Sequence, residues 1–319
     1  WMRCLLAQPY RRCCSAAARA GQLQRVACIA KATMAAAPSV QEEVLIERKA
    51  GGTLHVVMNR PKALNAGHHG MVAAILDAVT STSAAAAADA AAPVTSGSAQ
   101  EQPSCRAIVI EGCNPRAFCS GGDVKALRQA VLDGPYSSST AAGLPPDRHL
   151  VEKVFRSEYR LVVEAANCQV PYISLIRGVW MGLGFGLAGF GSARVVCEDV
   201  TFAMPENAIG LWPDVGWATK AVRMPGALGL YLGLTGARVT HPADLLYLGL
   251  ATHYVPADSW EALRSELLAG PAGSEPRAWA QRVLARYAQE PDGPPPLQRV
   301  AHVLDRCFGP AASYAADGQ

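Results

Sequence analysis

The feature that most constrains this chain is a repeated unit: a short, almost wholly apolar strand, a glycine turn, and a helix-forming stretch. Residues 106–111 (RAIVIE) lead to Phe118-Cys119-Ser120-Gly121-Gly122-Asp123 and a helical stretch from about 124. Residues 172–177 (YISLIR) lead to a second turn that runs from Gly178 through Gly182-Leu183-Gly184 to Gly186. A strand without polar alternation has both faces covered, the mark of a parallel sheet held between layers of helix. The expected fold class is therefore α/β.

The remaining pattern agrees. Residues 44–49 and 53–58 read as two strands joined by Gly51-Gly52, a hairpin signal. Residues 66–80 place Met71, Ile75, Leu76 and Val79 at helical spacing, and residues 150–167 read as a long helix. Residues 192–197 and 253–255 read as strands, and 226–235 and 242–249 as short helices. Beyond 256 the chain reads as helical, at about 259–268 and 276–288, broken by EPDGPPP at 290–296. Two stretches, 81–104 and 131–148, read as surface loops; the first is low in complexity, with a poly-alanine part of helical propensity.

Composition narrows the classes. Half of the 319 residues are apolar and 17% are charged, which excludes a disordered chain. No run of 18 apolar residues occurs, so no membrane-spanning helix is expected. The net charge is +3, but residues 1–41 hold six Lys/Arg and no acid, which leaves the rest at −3. That body has no nucleic-acid footprint in its charge. The first 41 residues, rich in Arg, Ala and Cys, have the composition of a mitochondrial transit peptide, which places the expected protein in the matrix. Trp1 precedes Met2, and Met34 offers a second start that would give an untargeted form. The expected organisation is a leader at 1–41, a catalytic-type domain at 42–255 and a helical region at 256–319. Of ten cysteines, four lie in the leader; the others lack CxxC spacing, so free thiols are expected rather than a metal site or a disulfide framework.

Three segments carry candidate chemistry. The turn at 118–123 exposes backbone N–H groups at the start of a helix, suited to a developing oxyanion; it reads equally as an ordinary strand–helix turn capped by Asp123. In the second turn Gly184, Gly186 and Gly189 satisfy G-x-G-x-x-G, but the nearest acids, Glu198 and Asp199, follow too soon for a dinucleotide site. The third segment, residues 205–216 (PENAIGLWPDVG), sets Glu206 and Asp214 eight residues apart in an apolar loop. Such carboxyls are partly desolvated, which raises their pKa toward general-base values; they read equally as turn carboxylates. His68 and His69 are adjacent and share no helix face for a metal, Lys125 reads as a solvated helix residue, and Trp180, Trp212 and Trp217 read first as core.

Taken in order, residues 59–65 (NRPKALN), 118–123, 182–186 and 205–216 resemble the crotonase (enoyl-CoA hydratase/isomerase) superfamily, and the last motif is most similar to its 3-hydroxyisobutyryl-CoA hydrolase branch. Residues 234–239 and 249–255 are similar to that branch as well. The resemblance implies a spiral of ββα units with two nearly perpendicular sheets, and an acyl-CoA thioester as substrate with no separate cofactor or metal. It implies that the N–H groups of Gly122 and Leu183 hold the thioester carbonyl, with Gly121, Gly182 and Gly184 shaping the turns and Asp123 supporting the first. Glu206 falls on the catalytic carboxylate, as base or nucleophile; Asp214 and Glu158 fall on positions that contact a hydroxyacyl group. The second glutamate of the hydratases matches Gly186 here, which disfavours hydration and leaves isomerisation as an alternative. Leu183 stands where the branch has glycine, and a positive φ there would be costly. A homo-oligomer is one expected state. A non-catalytic role in the small subunit of the mitochondrial ribosome, known for a relative of this branch, is the alternative from a different class.

Overall fold

The computed structural model describes residues 39–91, 105–133, 150–271 and 275–309. The expected leader up to residue 38, and the loop stretches 92–104 and 134–148, lie outside the described residues.

The chain begins with α1 (Val40–Glu43) and the hairpin β1 (Val44–Arg48) and β2 (Thr53–Met58). Next come α2 (His69–Ala91), β3 (Ala107–Gly112), β4 (Ala117–Cys119), α3 (Val124–Asp133) and α4 (Leu150–Ala166). They are followed by β5 (Tyr172–Ile176), β6 (Val179–Met181), α5 (Leu183–Ala188), β7 (Ala193–Val196) and β8 (Thr201–Ala203). After a 3₁₀ turn at Glu206–Ile209 the chain is mostly helical: α6 (Trp217–Ala221), α7 (Leu228–Thr235) and α8 (Pro242–Tyr247) lead to β9 (His253–Tyr254). It closes with α9 (Ala257–Ala269), α10 (Pro276–Tyr287) and α11 (Pro296–Phe308).

The strands form two sheets. The larger has the order β1-β2-β3-β5-β7-β9 and is parallel except for the β1–β2 hairpin. Its strand residues alternate between two cores. Leu54, Val56, Ile108 and Ile110 face one cluster with Met71, Ile75 and Val79 of α2 and Leu161 of α4. Ala107, Val109, Ile173 and Val195 face another, closed by Trp260, Leu263 and Leu267 of α9 and Trp279, Val283 and Leu284 of α10. Helices α9 and α10 thus cover this face over β3, β5 and β7, while β1 stays largely exposed. Glu111, at the end of β3, is buried, and it is not left bare: His55 Nε2 lies 2.6 Å from it, and Arg264 Nε donates to both oxygens at 2.7 and 3.0 Å.

The smaller sheet, β4-β6-β8, is parallel, and none of its strands is marked by an apolar run long enough to read from the sequence. Trp180 of β6 and Phe202 of β8 pack edge to face at 4.8 Å, with Phe185 and Trp217 against them. Trp180 and Trp217 are therefore core, as expected, whereas Trp212 is 68% exposed.

Two expectations change. The helix expected at 66–80 starts at His69 and continues to Ala91, so the first part of the expected insertion is helical, as its alanines favour. This helix is also long and apolar enough to cross a membrane by length and composition, although its apolar residues form no unbroken run of 18. Its Met71, Val72, Ile75 and Val79 are taken up by the core, and alanine supplies much of its remaining hydropathy. The break at 290–296 is followed by a further helix, α11, tied down where Asp305 Oδ1 accepts from Ala227 N–H and Asp244 Oδ1 from Leu297 N–H. Of the cysteines among the described residues, all free, four are buried, Cys113 is half-buried and Cys307 is exposed.

Candidate active site

The small sheet carries the site. Each of its three strands ends two or three residues before a candidate group: Cys119 before Gly122, Met181 before Leu183, Ala203 before Glu206.

The first turn is held by the segment before α2. Leu64 and Asn65 adopt positive φ, 50° and 55°, a conformation that asparagine tolerates best among residues with a side chain. The buried Asn65 side chain accepts from Arg60 N–H at 2.9 Å and donates to Ala117 O at 2.8 Å and Phe118 O at 3.2 Å. Gly67 pairs with Gly122 through its neighbours: Gly67 N–H donates to Gly121 O, and Asp123 N–H to Gly67 O. The N–H of Gly122 takes no part in that bridge and points away from it. Asp123 does not line the site. It accepts from Ala126 N–H at 3.1 Å, capping α3, and pairs with Arg60 Nη1 at 3.1 Å, while Arg60 also holds Glu43 at 2.9 Å. Burial opposes its charge, but these bonds bring its pKa below the ordinary value. Asp123 thus ties the first turn to α3 and to Arg60.

In the second turn the positive φ falls on Gly182 (50°), not on Leu183. Leu183 is the first residue of α5, so the strain expected of a leucine here does not arise. Phe185 and Gly186 N–H groups turn back to Gly182 O, leaving the Leu183 N–H among the helix's orphan donors. Gly184 is a packing glycine: a Cβ on it would lie 2.6 Å from Cys119 O, and it does not border the pocket. Gly184 and Gly186 lie within α5 itself, not in a loop before a helix, so their G-x-G-x-x-G spacing forms no phosphate cradle. A Cβ on Gly186 would meet Val215 at 2.9 Å and Val162 at 3.4 Å, so a side chain there would have to displace Val215.

Three carboxyls complete the pocket. Glu206 is buried in the 3₁₀ turn after β8, and its Oε2 has no hydrogen-bond partner. Burial, and next the charge of Asp214, push its pKa up to about 7. Glu158, on the inner face of α4, is 4% exposed; burial and Asp214 push it up to about 8. Asp214 is half-buried; burial raises its pKa, opposed by the Tyr159 hydroxyl, which donates to Oδ2 at 2.8 Å. The groups enclose a cavity of about 100 Å³, bordered by Gly121, Gly122, Gly182, Leu183 and the three carboxyls, with Val124, Leu127, Phe155, Ile209 and Leu211 as its apolar wall. Gly122 and Glu158 face each other: a Cβ on Gly122 would stand 4.0 Å from Glu158 Oε1.

The structure therefore brings together Gly121, Gly122, Glu158, Gly182, Leu183, Glu206 and Asp214, and leaves Asp123 and Gly184 behind the turns. The reading of the sequence gave no role to Asn65, Tyr159 or the apolar wall. Asn65 had a signal in its place within NRPKALN; Tyr159 had only its position beside Glu158. His68 pairs with Glu43, Lys125 is exposed, and no cluster suited to a metal occurs among the described residues.

A parallel sheet with paired glycine turns and a buried carboxylate defines a protein of the crotonase class. The sequence profile of the enoyl-CoA hydratase/isomerase family matches residues 53–316, and the chain belongs to that family. Among its relatives, the probable 3-hydroxyisobutyryl-CoA hydrolase 3 of Arabidopsis thaliana is 34% identical over 84% of this chain and 62% of its own length. The mitochondrial 3-hydroxyisobutyryl-CoA hydrolase of Homo sapiens is 36% identical over 72% of this chain and 51% of its own. The chain thus spans half to two thirds of these relatives' lengths. Among solved structures, a carnitinyl-CoA dehydratase from Mycobacterium thermoresistibile aligns with a TM-score of 0.67 at 30% identity, covering 87% of this chain and 72% of that one.

Proposed function

We propose that the chain hydrolyses a short hydroxyacyl-CoA thioester, with 3-hydroxyisobutyryl-CoA, an intermediate of valine breakdown, as its reference substrate. The observation that carries this is Glu206: a buried carboxyl with an unpartnered oxygen, set against the glycine turns, with glycine rather than a second glutamate at position 186. Hydration across a double bond lacks the second glutamate that hydratases carry on the helix after the second glycine turn, whereas thioester cleavage needs only the one at Glu206. The names of the relatives support the same reading, and the small cavity suits a branched acyl group of four carbons better than a long chain.

In this mechanism the thioester carbonyl lies between the Gly122 and Leu183 N–H groups, which stabilise its negative charge during attack. Glu206, ionised, activates a water molecule or attacks to give an anhydride that water opens. CoA leaves as the thiolate. Glu158, protonated at neutral pH, donates a hydrogen bond to the substrate, and Asp214 accepts one from its hydroxyl. A mitochondrial location is part of the reading, supported by the composition of residues 1–41 and by relatives named as mitochondrial.

The test is thiol release from (S)-3-hydroxyisobutyryl-CoA, beside acetyl-CoA and a 2-enoyl-CoA, with Glu206→Gln as control. Release that depends on Glu206 supports the hydrolase. A folded chain that releases nothing, or Glu206→Gln at full rate, overturns it, and comigration with small mitochondrial ribosomal subunits in a gradient would then favour a structural role.

A further inference from the structure

Asp214 stands at the wall between two cavities. On one side is the pocket of about 100 Å³ that holds Glu206 and Glu158. On the other is a larger cavity of about 530 Å³, bordered by Tyr159 and Trp212, which shares Phe155, Leu211 and Asp214 with the first. Tyr159 follows Glu158 on α4, one helical step of about 100° further round. Glu158 points into the pocket and is 4% exposed, while Tyr159 is 43% exposed and reaches Asp214 from the outer side. Its hydroxyl donates to Oδ2 at 2.8 Å, and this is the side-chain bond that favours the charged carboxylate, ahead of the weaker help of the Asp214 and Val215 backbone. The backbone fixes the other end of Asp214: Trp217 N–H donates to its carbonyl at 2.7 Å, and Val215 follows it at φ 35°. Asp214 thus has its main chain fixed and its carboxyl held from the outer side by Tyr159.

We propose that Tyr159 is the positioning residue of Asp214: by holding Oδ2 on the outer side, it fixes the orientation in which the carboxyl accepts from a hydroxyl on the acyl chain, and so sets the preference for hydroxyacyl over plain acyl thioesters. The inference rests on the acyl-CoA reading above and adds the residue that selects the acyl group. A carboxylate free to rotate offers its oxygens in many directions and gains less from one hydroxyl; one held by a phenol is prepared for it. The hydrogen bond also favours the charged form of Asp214 beside two carboxyls that burial keeps easily protonated. An ionised acceptor makes the stronger bond to a hydroxyl.

The experiment measures binding rather than turnover. Two non-hydrolysable 2-oxoalkyl thioethers of CoA, alike except for a hydroxyl or a hydrogen at the position that carries the substrate hydroxyl, are titrated calorimetrically into the full chain. Wild type is expected to prefer the hydroxyl analogue. Tyr159→Phe keeps the ring that packs against Phe155 at 6.0 Å, and is expected to cut that preference about tenfold by weakening the hydroxyl analogue alone. Asp214→Asn should do the same, and the double variant should add little, because the two act as one unit. A wild type without preference, a Tyr159→Phe variant that keeps it, or an equal loss for both analogues overturns the proposal. Thiol release by wild type, measured beside it, reports separately on the hydrolase reading.

Discussion

A Cβ placed on Gly182 would lie 2.9 Å from Glu206 Oε1 and 3.5 Å from the Cα of Gly121. Two turns and the Glu206 carboxyl therefore meet at one position, where an added methyl group would push the carboxyl aside, and Gly182 also has a φ of 50° that an alanine adopts only at a cost. Gly182→Ala should displace Glu206 and lower kcat/KM for thiol release about 100-fold, since small misplacements in a reactive geometry cost that much. Circular dichroism should show the fold retained.

The pH profile has a definite sign. In the proposed mechanism Glu206 works ionised, and its pKa is pushed up to about 7, so activity should fall as pH drops below that value. In the same mechanism Glu158 works protonated, and its pKa is pushed up to about 8, so activity should fall again above it. The expected kcat/KM profile is a narrow bell with its maximum between the two. Glu158→Gln keeps a neutral donor and should remove the alkaline limb while leaving the acid one; stopped-flow thiol release across pH 5–10 checks both.

The same shift appears in stability. The folded pKa of Glu158 lies above its ordinary value of 4.5, so the folded state holds the proton more tightly than the unfolded one. No penalty exists below the unfolded value; it grows as pH rises and is complete above the folded value. Glu158→Gln should therefore raise the melting temperature at pH 8.5 by a few degrees (about 1 kcal/mol or more) and change it little at pH 4. An equal gain at both pH values would refute the assignment.

The Asn65 side chain makes three hydrogen bonds to the main chain while buried at positive φ, and two of them hold β4 just before the first glycine turn. Asn65→Ala should cost about 3 kcal/mol, from unsatisfied backbone groups and the poorer fit of alanine to that conformation. Chemical denaturation gives the value, and the activity that remains should fall because the turn loses its support.

Gly186→Glu tests whether this chain could be turned into a hydratase. The new side chain would start 2.9 Å from Val215, next to Asp214. The expected result is a loss of about 1–3 kcal/mol in stability from overpacking and no hydration of a 2-enoyl-CoA.

The larger sheet was legible because its strands are wrapped on both sides, so RAIVIE and YISLIR carry no polar alternation. The smaller one was hidden. Ala117–Cys119, Val179–Met181 and Thr201–Ala203 are three residues each, too short to establish a period of two, and glycine turns adjoin them. Glu206, Asp214 and Glu158 could be found because they sit in motifs of chain neighbours. The Tyr159–Asp214 bond joins residues 55 positions apart and leaves no trace in local spacing. Leu183 was misjudged for a related reason: a glycine-rich turn shows that some residue takes a left-handed conformation, but not which one.

The three strands of the small sheet have a consequence for variation in this chain. Hydrogen-bonded neighbours lie about 4.8 Å apart whatever side chains they bear. The first turn, the second turn and the carboxyl-bearing 3₁₀ turn follow β4, β6 and β8 in that lateral order, so main-chain pairing rules off the distances between them like teeth on a comb. Sequence can be added to the long connections, as in the alanine-rich stretch after β2, without altering that ruler. A single residue inserted or deleted between Ala117 and Gly122, or between Val179 and Leu183, would shift one tooth against the others. Length changes should therefore accumulate freely in the connections of this chain and hardly ever within those few residues.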